Sequence, residues 1–309
     1  MSVEHNVLET KPWRNEGNWM VDVRGRSMLR KEESNLLYFL ARDYCTAAGA
    51  LIDAGALIGA SSSCLCGGLR DRSDSVAFVK SIHAFDKFKA DEPYLVNYLK
   101  TRVDENISEG DDFVGVYEKN TLGCQEYIEI HQGDFMDVVW TGDPIELLFV
   151  DIAKTQQLNS HLIKEFFPAL IPGKSLLVHQ DYHHPHLPYI HVSMEYLSQY
   201  FEIVDYAVND SILFMNVEKI PHEMIRRCAA WDFDREEQVE LMDRAIKRLP
   251  EELRYHAVLA KVMLVWKLIG GDHAKSELVI ADRITPESYK RTDEHWARYR
   301  DQVASRIGI

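Results

Sequence analysis

The sequence predicts an α/β protein, an open, doubly wound sheet followed by an all-helical annex. Three observations carry that prediction. The apolar run Ala50-Leu51-Ile52 ends in Asp53 and a glycine turn, and Gly59 and Ser61 then open a stretch that can be helical. Strand, Gly-rich turn and helix start are the opening of a nucleotide-type site in such a sheet. Next, apolar strands alternate with helical stretches and end in acids: Asp53, Asp86, Asp134, Asp151 and Asp181. Beyond Pro221, amphipathic helical pattern replaces the strand pattern altogether.

Composition bounds what such a fold does. The chain has 309 residues, 46% hydrophobic and 27% charged, enough for a sizeable core in one or two domains. A formal net charge of -14 argues against nucleic acid as partner, because phosphate binding needs clustered Lys and Arg. The five cysteines are odd in number and scattered, which predicts a reducing compartment and no disulfide framework. Cys64 and Cys66 lack zinc-knuckle spacing and read as small buried helical residues. Met1 to Arg14 has no apolar signal core, and no stretch is long enough to span a membrane, so a cytoplasmic location and no membrane partner are expected.

In chain order, residues 1–30 read as an irregular arm containing Trp13, Trp19 and Met20. Residues 31–220 read as the sheet domain. Its first helix runs from Arg30 to Gly49, where the glycine stops it. The glycine turn at Gly55 needs a backbone geometry closed to residues with a Cβ. Gly59 and Ser61 bring the backbone close to a ligand carboxylate at a helix N-terminus. A second strand, Val79 to Phe85, closes on Asp86, and an acid in that place accepts hydrogen bonds from a ribose diol. Helices follow over Pro93 to about Asn106 and Asn120 to Tyr127, then a strand over Tyr127 to His131 with Gly133, Asp134 and Phe135 after it. Ile145 to Val150 is a fully apolar strand apart from Glu146, of parallel-sheet character, followed by Asp151 and Lys154. A helix leads to Pro172-Gly173, and the strand Ser175 to Val178 runs into His179-Gln180-Asp181-Tyr182. A helix over Val192 to Gln199 and strands over Phe201 to Ala207 and Ser211 to Val217 close the domain. Residues 221–309 form the annex, of two to four helices.

The pattern D-x-G-x-x-x-G-x-S from Asp53 to Ser61 resembles motif I of the class I S-adenosylmethionine-dependent methyltransferases. Ala84-Phe85-Asp86-Lys87-Phe88 resembles the corresponding segment of macrocin-type sugar O-methyltransferases. The run from Ile145 to Tyr182 is similar to the metal-assisted O-methyltransferases of the catechol, caffeoyl-CoA and macrocin types. The resemblance spans about Gly49 to Asp205. It implies a Rossmann-like methyltransferase sheet and S-adenosylmethionine as cofactor. It assigns the cofactor to Asp53, Gly55, Gly59, Ser61, Asp86, Gly133, Asp134, Phe135 and Asp151. Asp134 would accept the adenine amino group and Phe135 would pack on the ring. It further implies Mg²⁺ on Asp151, Gln180 and Asp181, with Gln180 a departure from the usual Asp that removes one negative charge. Lys154 would be the general base.

The cluster His179, His183, His184, His186 and His191 offers an alternative base, His183 foremost, and a rival metal site with nitrogen ligands. The leading expectation is methyl transfer to a hydroxyl of a small molecule such as a sugar or secondary metabolite. The other two are a hydrolase or oxygenase centre on the histidine loop, and a non-catalytic relative of the fold that binds a nucleoside or a partner. Expected partners are a small-molecule acceptor and a second copy of the chain, meeting through the arm or the annex.

Overall fold

A computed structural model of the protein describes residues 3–15, 28–103 and 106–309. The arm is more regular than expected. Helix α1 (Val3–Thr10) buries Val7 and Leu8, and a 3-10 turn at Pro12–Arg14 buries Trp13 completely. Both pack on the next helical segment, which is why polar flanking residues did not keep them irregular. Trp19 and Met20 lie outside the described residues. Helix α2 (Lys31–Phe39) continues into a π-helical turn over Leu40–Tyr44 and stops there, short of Gly49. Gly49 has a different cause: a Cβ there would lie 2.2 Å from the Pro144 carbonyl oxygen.

Strand β1 (Ala50–Ala54) is buried throughout and feeds α3 (Ala60–Arg70). Strand β2 (Ile82–Asp86) starts later than the sequence suggested, after Lys80 at φ +50°. Helices α4 (Pro93–Arg102) and α5 (Val114–Asn120) precede β3 (Ile128–Gln132). The helix expected over 120–127 is therefore corrected: α5 ends where it was to begin. Residues 121–127 are turns, fixed by Thr121 N–H donating to Tyr117 O and Cys124 N–H to Thr121 O. Strand β4 (Ile145–Val150), α6 (Gln156–Phe166), β5 (Leu176–His179), α7 (Pro188–Tyr196), β6 (Phe201–Val208) and β7 (Ser211–Asn216) complete the alternation. Pro188 in the first turn of α7 suits a helix start and brings it forward from Val192.

The sheet has seven strands in the order β3-β2-β1-β4-β5-β7-β6. β1 pairs in parallel with β2 and β4, β2 in parallel with β3, and β6 antiparallel with β7. The order reverses beside β1, the place where such sheets open a crevice at their carboxyl ends. Glu146 is fully buried in β4, and the fold satisfies it: its carboxylate accepts from Thr46 N–H at 2.7 Å, Thr46 Oγ at 2.8 Å and Ala48 N–H at 3.1 Å, with Lys174 Nζ at 3.3 Å. That acid ties the loop before β1 to the neighbouring strand.

The annex has six helices, more than expected: α8 (His222–Ala229), α9 (Arg235–Arg248), α10 (Glu251–Leu268), α11 (Gly271–Ile284), α12 (Glu287–Thr292) and α13 (Glu294–Ile307). Gly271 opens α11, and Pro286 and Asp293 stand immediately before α12 and α13. Tyr255, Leu259, Val262, Ala274, Trp296 and Val303 share one core there. The chain divides into two compact units, Met1–Ile152 with Ala169–Val178, and Ala153–Pro168 with His179–Ile309. Within the second, α8 packs on α6 and α9 on α7, and Glu195 of α7 meets Arg248 at 3.2 Å. No helix among the described residues is long and apolar enough to cross a membrane.

The expectation of no disulfide is corrected. Cys66 of α3 and Cys124 in the turn before β3 are bonded, 58 residues apart in sequence. Their spacing carries no signal, because the packing of α3 beside that turn decides the pair. Cys45, Cys64 and Cys228 are buried thiols outside that disulfide.

Candidate active site

The strand-end residues of the first unit do unequal work. Asp53, one residue before the end of β1, is fully buried. Its Oδ2 accepts the Ser61 hydroxyl at 2.8 Å and the Ser62 hydroxyl as well, while Oδ1 has no partner. Burial pushes its pKa up to about 6 against the pull of the two hydroxyls. The acid thus holds the first turn of α3 onto β1. Ser61 is correspondingly buried, its hydroxyl turned inward.

Gly55 follows at φ +101°, and a Cβ there would stand 2.9 Å from the carbonyl carbon and oxygen of Asp151. Both the turn and the close approach of the end of β4 require glycine. Gly59 caps α3 at φ +89°, and its Cβ would stand 2.6 Å from Thr121 Cγ2. The close approach Gly59 allows within the chain is to Thr121.

Asp86 ends β2 and is half-buried. Its Oδ2 accepts from Leu57 N–H at 2.9 Å and Oδ1 from Phe88 N–H at 2.7 Å, and burial raises its pKa while those donors oppose. Leu57 and Phe88 both sit in the left-handed region, at φ +45° and +51°. Such conformations cost free energy and persist only where surroundings fix them. Here Asp86 is the fixing group, and it retains lone pairs for a further donor. Gly133 N–H donates to Asp86 O at 3.0 Å, which sets the turn after β3 beside the end of β2. Asp134 is exposed and caps the turn at Phe135–Asp137 through Met136 N–H at 2.9 Å. Phe135 is buried, edge-on to Phe85 with ring centroids 6.0 Å apart. Gly55, Leu57, Ser61 and Asp151 line a small cavity of about 20 Å³, with Met28 and Leu29 on its wall.

In the second unit, Asp181 stands two residues past β5 in the left-handed region, at φ +61°. Its carboxylate is ion-paired with the ammonium of Lys154. Tyr189 Oη donates to Ala153 O at 3.0 Å, and His184 N–H donates to Asp181 O at 2.9 Å, so both partners are held by their backbones. His179, His183 and His191 are buried. His183 Nε2 lies 2.8 Å from Tyr206 O, and burial lowers its pKa to about 4. Desolvation disfavours the imidazolium that a base must become, which weighs against His183 in that role.

The donor set expected for Mg²⁺ fits the ion poorly. Asp181 already carries an ammonium on its carboxylate, and Gln180 brings no charge. The histidine loop does not gather as a metal centre either. Among the described residues, the group with ligand atoms within 4.8 Å of one another is His83, Glu129 and His131. No spacing signal announces it, since it depends on the register that sets β2 beside β3.

Residues 52–182 match a family model described as a methyltransferase domain. Among solved structures, the chain resembles that of the O-methyltransferase NovP at 14% identity and a TM-score of 0.45, over 70% of this chain and 96% of that one. That likeness is too distant to carry an argument. No curated protein matches the chain. The family match falls on the glycine turn of β1 and on the strand ends through β5, so residues 52–182 are similar to a methyltransferase domain.

Proposed function

We propose that the protein methylates a hydroxyl oxygen of a small acceptor, with Asp181 and Lys154 handling the proton and charge of that oxygen. The observation that carries the reading is their ion pair, set on a left-handed residue two positions past β5. When bound, S-adenosylmethionine supplies an electrophilic methyl group. The residues of the first unit fit it: Asp86 keeps acceptor capacity beside the glycine turn, and Asp53 Oδ1 is a buried acceptor without a partner. With only about 20 Å³ at Gly55, the side chains of Met28 and Leu29 must yield for a nucleoside to enter.

The roles of the pair differ from the expectation of a lysine base. Lys154 is paired as a cation with the Asp181 carboxylate. Lys154 therefore stabilises negative charge developing on the acceptor oxygen, and the Asp181 carboxylate takes the hydroxyl proton. No step is assigned to a divalent ion.

Cofactor binding is testable apart from turnover. S-Adenosylhomocysteine should bind with micromolar affinity, on the order of 8 kcal/mol. Gly55→Val should abolish binding and cost about 3 kcal/mol of stability, since the side chain meets the Asp151 backbone at a strained φ. Asp86→Ala should weaken binding at least tenfold, about 1.4 kcal/mol, by freeing the Leu57 turn as well as losing an acceptor. Calorimetry on the folded variants decides, and two variants that bind like the parent would place the cofactor elsewhere.

A further inference from the structure

The second unit contains a cavity of about 1150 Å³ with Lys154 on its wall. Most of the wall comes from the annex. Helix α13 supplies Arg298, Asp301, Gln302, Ser305 and Arg306, and α10 supplies Trp266 and Lys267. The α13 residues fall at i, i+3, i+4, i+7 and i+8, which is one stripe of a helix. The opposite stripe, with Trp296, Tyr299, Val303 and Ile307, is buried in the annex core. Packing of one face thus fixes the aim of the other.

The charge of that wall is opposite to the charge of the chain. Four of its residues are basic, Lys154, Lys267, Arg298 and Arg306, His186 adds a titratable ring, and Asp301 is the one carboxylate, in a protein of net charge -14. Three of the cations rest on aromatic rings. Arg306 lies 6.0 Å from the Trp266 ring centre, Arg298 5.0 Å from that of Tyr299, and Lys267 5.7 Å from that of Tyr189. Among the described residues none of these three is in an ion pair, so the ring seats orient the cations without neutralising them. Desolvation, and then the proximity of Arg306, lower the pKa of Lys267. Like charges gathered in this way repel unless an anion joins them. Guanidinium groups held on rings present their N–H edges to planar or tetrahedral oxyanions. The volume is far larger than a bare ion needs and suits a small organic molecule.

We infer that this annex pocket is the acceptor site and that the acceptor is a hydroxylated small molecule carrying an anionic group, phosphate or carboxylate, held by Arg298, Arg306 and Lys267. The inference rests on the methyl-transfer reading for the word acceptor; the anion site itself rests on the wall. It gives the annex a task in the reaction, that of choosing the substrate while the sheet domain holds the cofactor.

Glucose 6-phosphate, glucuronate and glucose serve as probes in calorimetry on the full-length protein, with S-adenosylhomocysteine titrated in parallel. At least one charged sugar should bind ten times more tightly than glucose, and more weakly as salt rises. Whether the phosphate or the carboxylate binds more tightly identifies the anionic group. The double variant Arg298→Gln/Arg306→Gln should weaken the charged sugar at least tenfold and leave S-adenosylhomocysteine affinity within twofold. Both side chains are exposed, so the variant should keep the parent circular dichroism. Equal binding of charged and neutral sugars, or parent-like binding by the double variant, overturns the inference. A parent that binds the charged sugar but not S-adenosylhomocysteine would instead support the anion site and remove the cofactor reading.

Discussion

Lowering the pH from 7 to 5 is expected to take about 4 kcal/mol from the folding stability of this protein. The cause is a set of buried imidazoles at the end of β5 and on the segment after it. Burial lowers the pKa of His179 and His183 to about 4 and that of His191 to about 3, against about 6.5 for an unfolded chain. In each case the folded pKa is the depressed one. The stability these rings contribute is present above pH 6.5 and is lost as the unfolded chain gains protons that the folded chain refuses. By pH 5 the loss is about 2 kcal/mol for each ring. Half-buried His184 acts in the same direction. Asp53 opposes it: its folded pKa, about 6, lies above the unfolded value, so protonation between those values returns about 1 kcal/mol by pH 5. Glu195, raised by burial, adds to that opposition. Chemical denaturation at the two pH values measures the difference. His191→Phe is the diagnostic variant, because neither nitrogen of His191 has a hydrogen-bond partner and its ring stacks on Tyr182 at 4.3 Å. A phenyl ring keeps the stack and cannot be protonated, so this variant should be at least as stable as the parent at pH 7 and less sensitive to acid. An unchanged pH dependence in His191→Phe would show that the ring does not carry the effect.

The second large effect is on turnover. Asp181→Asn and Lys154→Met should each lower kcat by a factor on the order of 10² to 10⁴, about 3 to 5 kcal/mol in the barrier, and leave S-adenosylhomocysteine affinity unchanged. Asn is well suited as the probe because it tolerates the left-handed backbone that residue 181 adopts at φ +61°. Lys154→Arg should recover part of the loss by restoring the cation, which a base at that position could not do. Radiolabelled methyl transfer with an acceptor that the anion-site titrations identify gives the rates. A fall in kcat of less than threefold in Asp181→Asn would remove the carboxylate from the proton transfer.

Much of the sheet domain was legible because its signals are local. The run Ile145–Val150 is a strand in sequence and in structure, since six consecutive residues compatible with burial on both faces have few other uses. The hairpin β6–β7 and the glycine turn after β1 were legible for the same reason. The candidate acids were found as residues, yet their duties were not. Asp53 and Asp86 read alike as strand-end carboxylates. Only the tertiary structure turns the first onto Ser61 and Ser62 and sets the second under the backbone of Leu57 and Phe88.

What the sequence determined by itself is periodicity and backbone permission: where strands and helices run, and that Gly55 admits a conformation other residues resist. What the tertiary structure decided is every pairing across long separations. It joined Cys66 to Cys124, set Glu146 on Thr46, and brought His83 beside Glu129 and His131. It also paired Lys154 with Asp181. The stripe from Arg298 to Arg306 was present in the sequence as a helical repeat, but its meaning was not. A basic face on a helix is ordinarily a solvated one. It becomes a binding wall only when the opposite face is packed, as Trp296 and Val303 are here, and the fold brings α10 and Lys154 around it. Local pattern fixes what a residue is able to do. The neighbours supplied by folding fix its charge state and its partner, because both depend on distances that no sequence interval encodes.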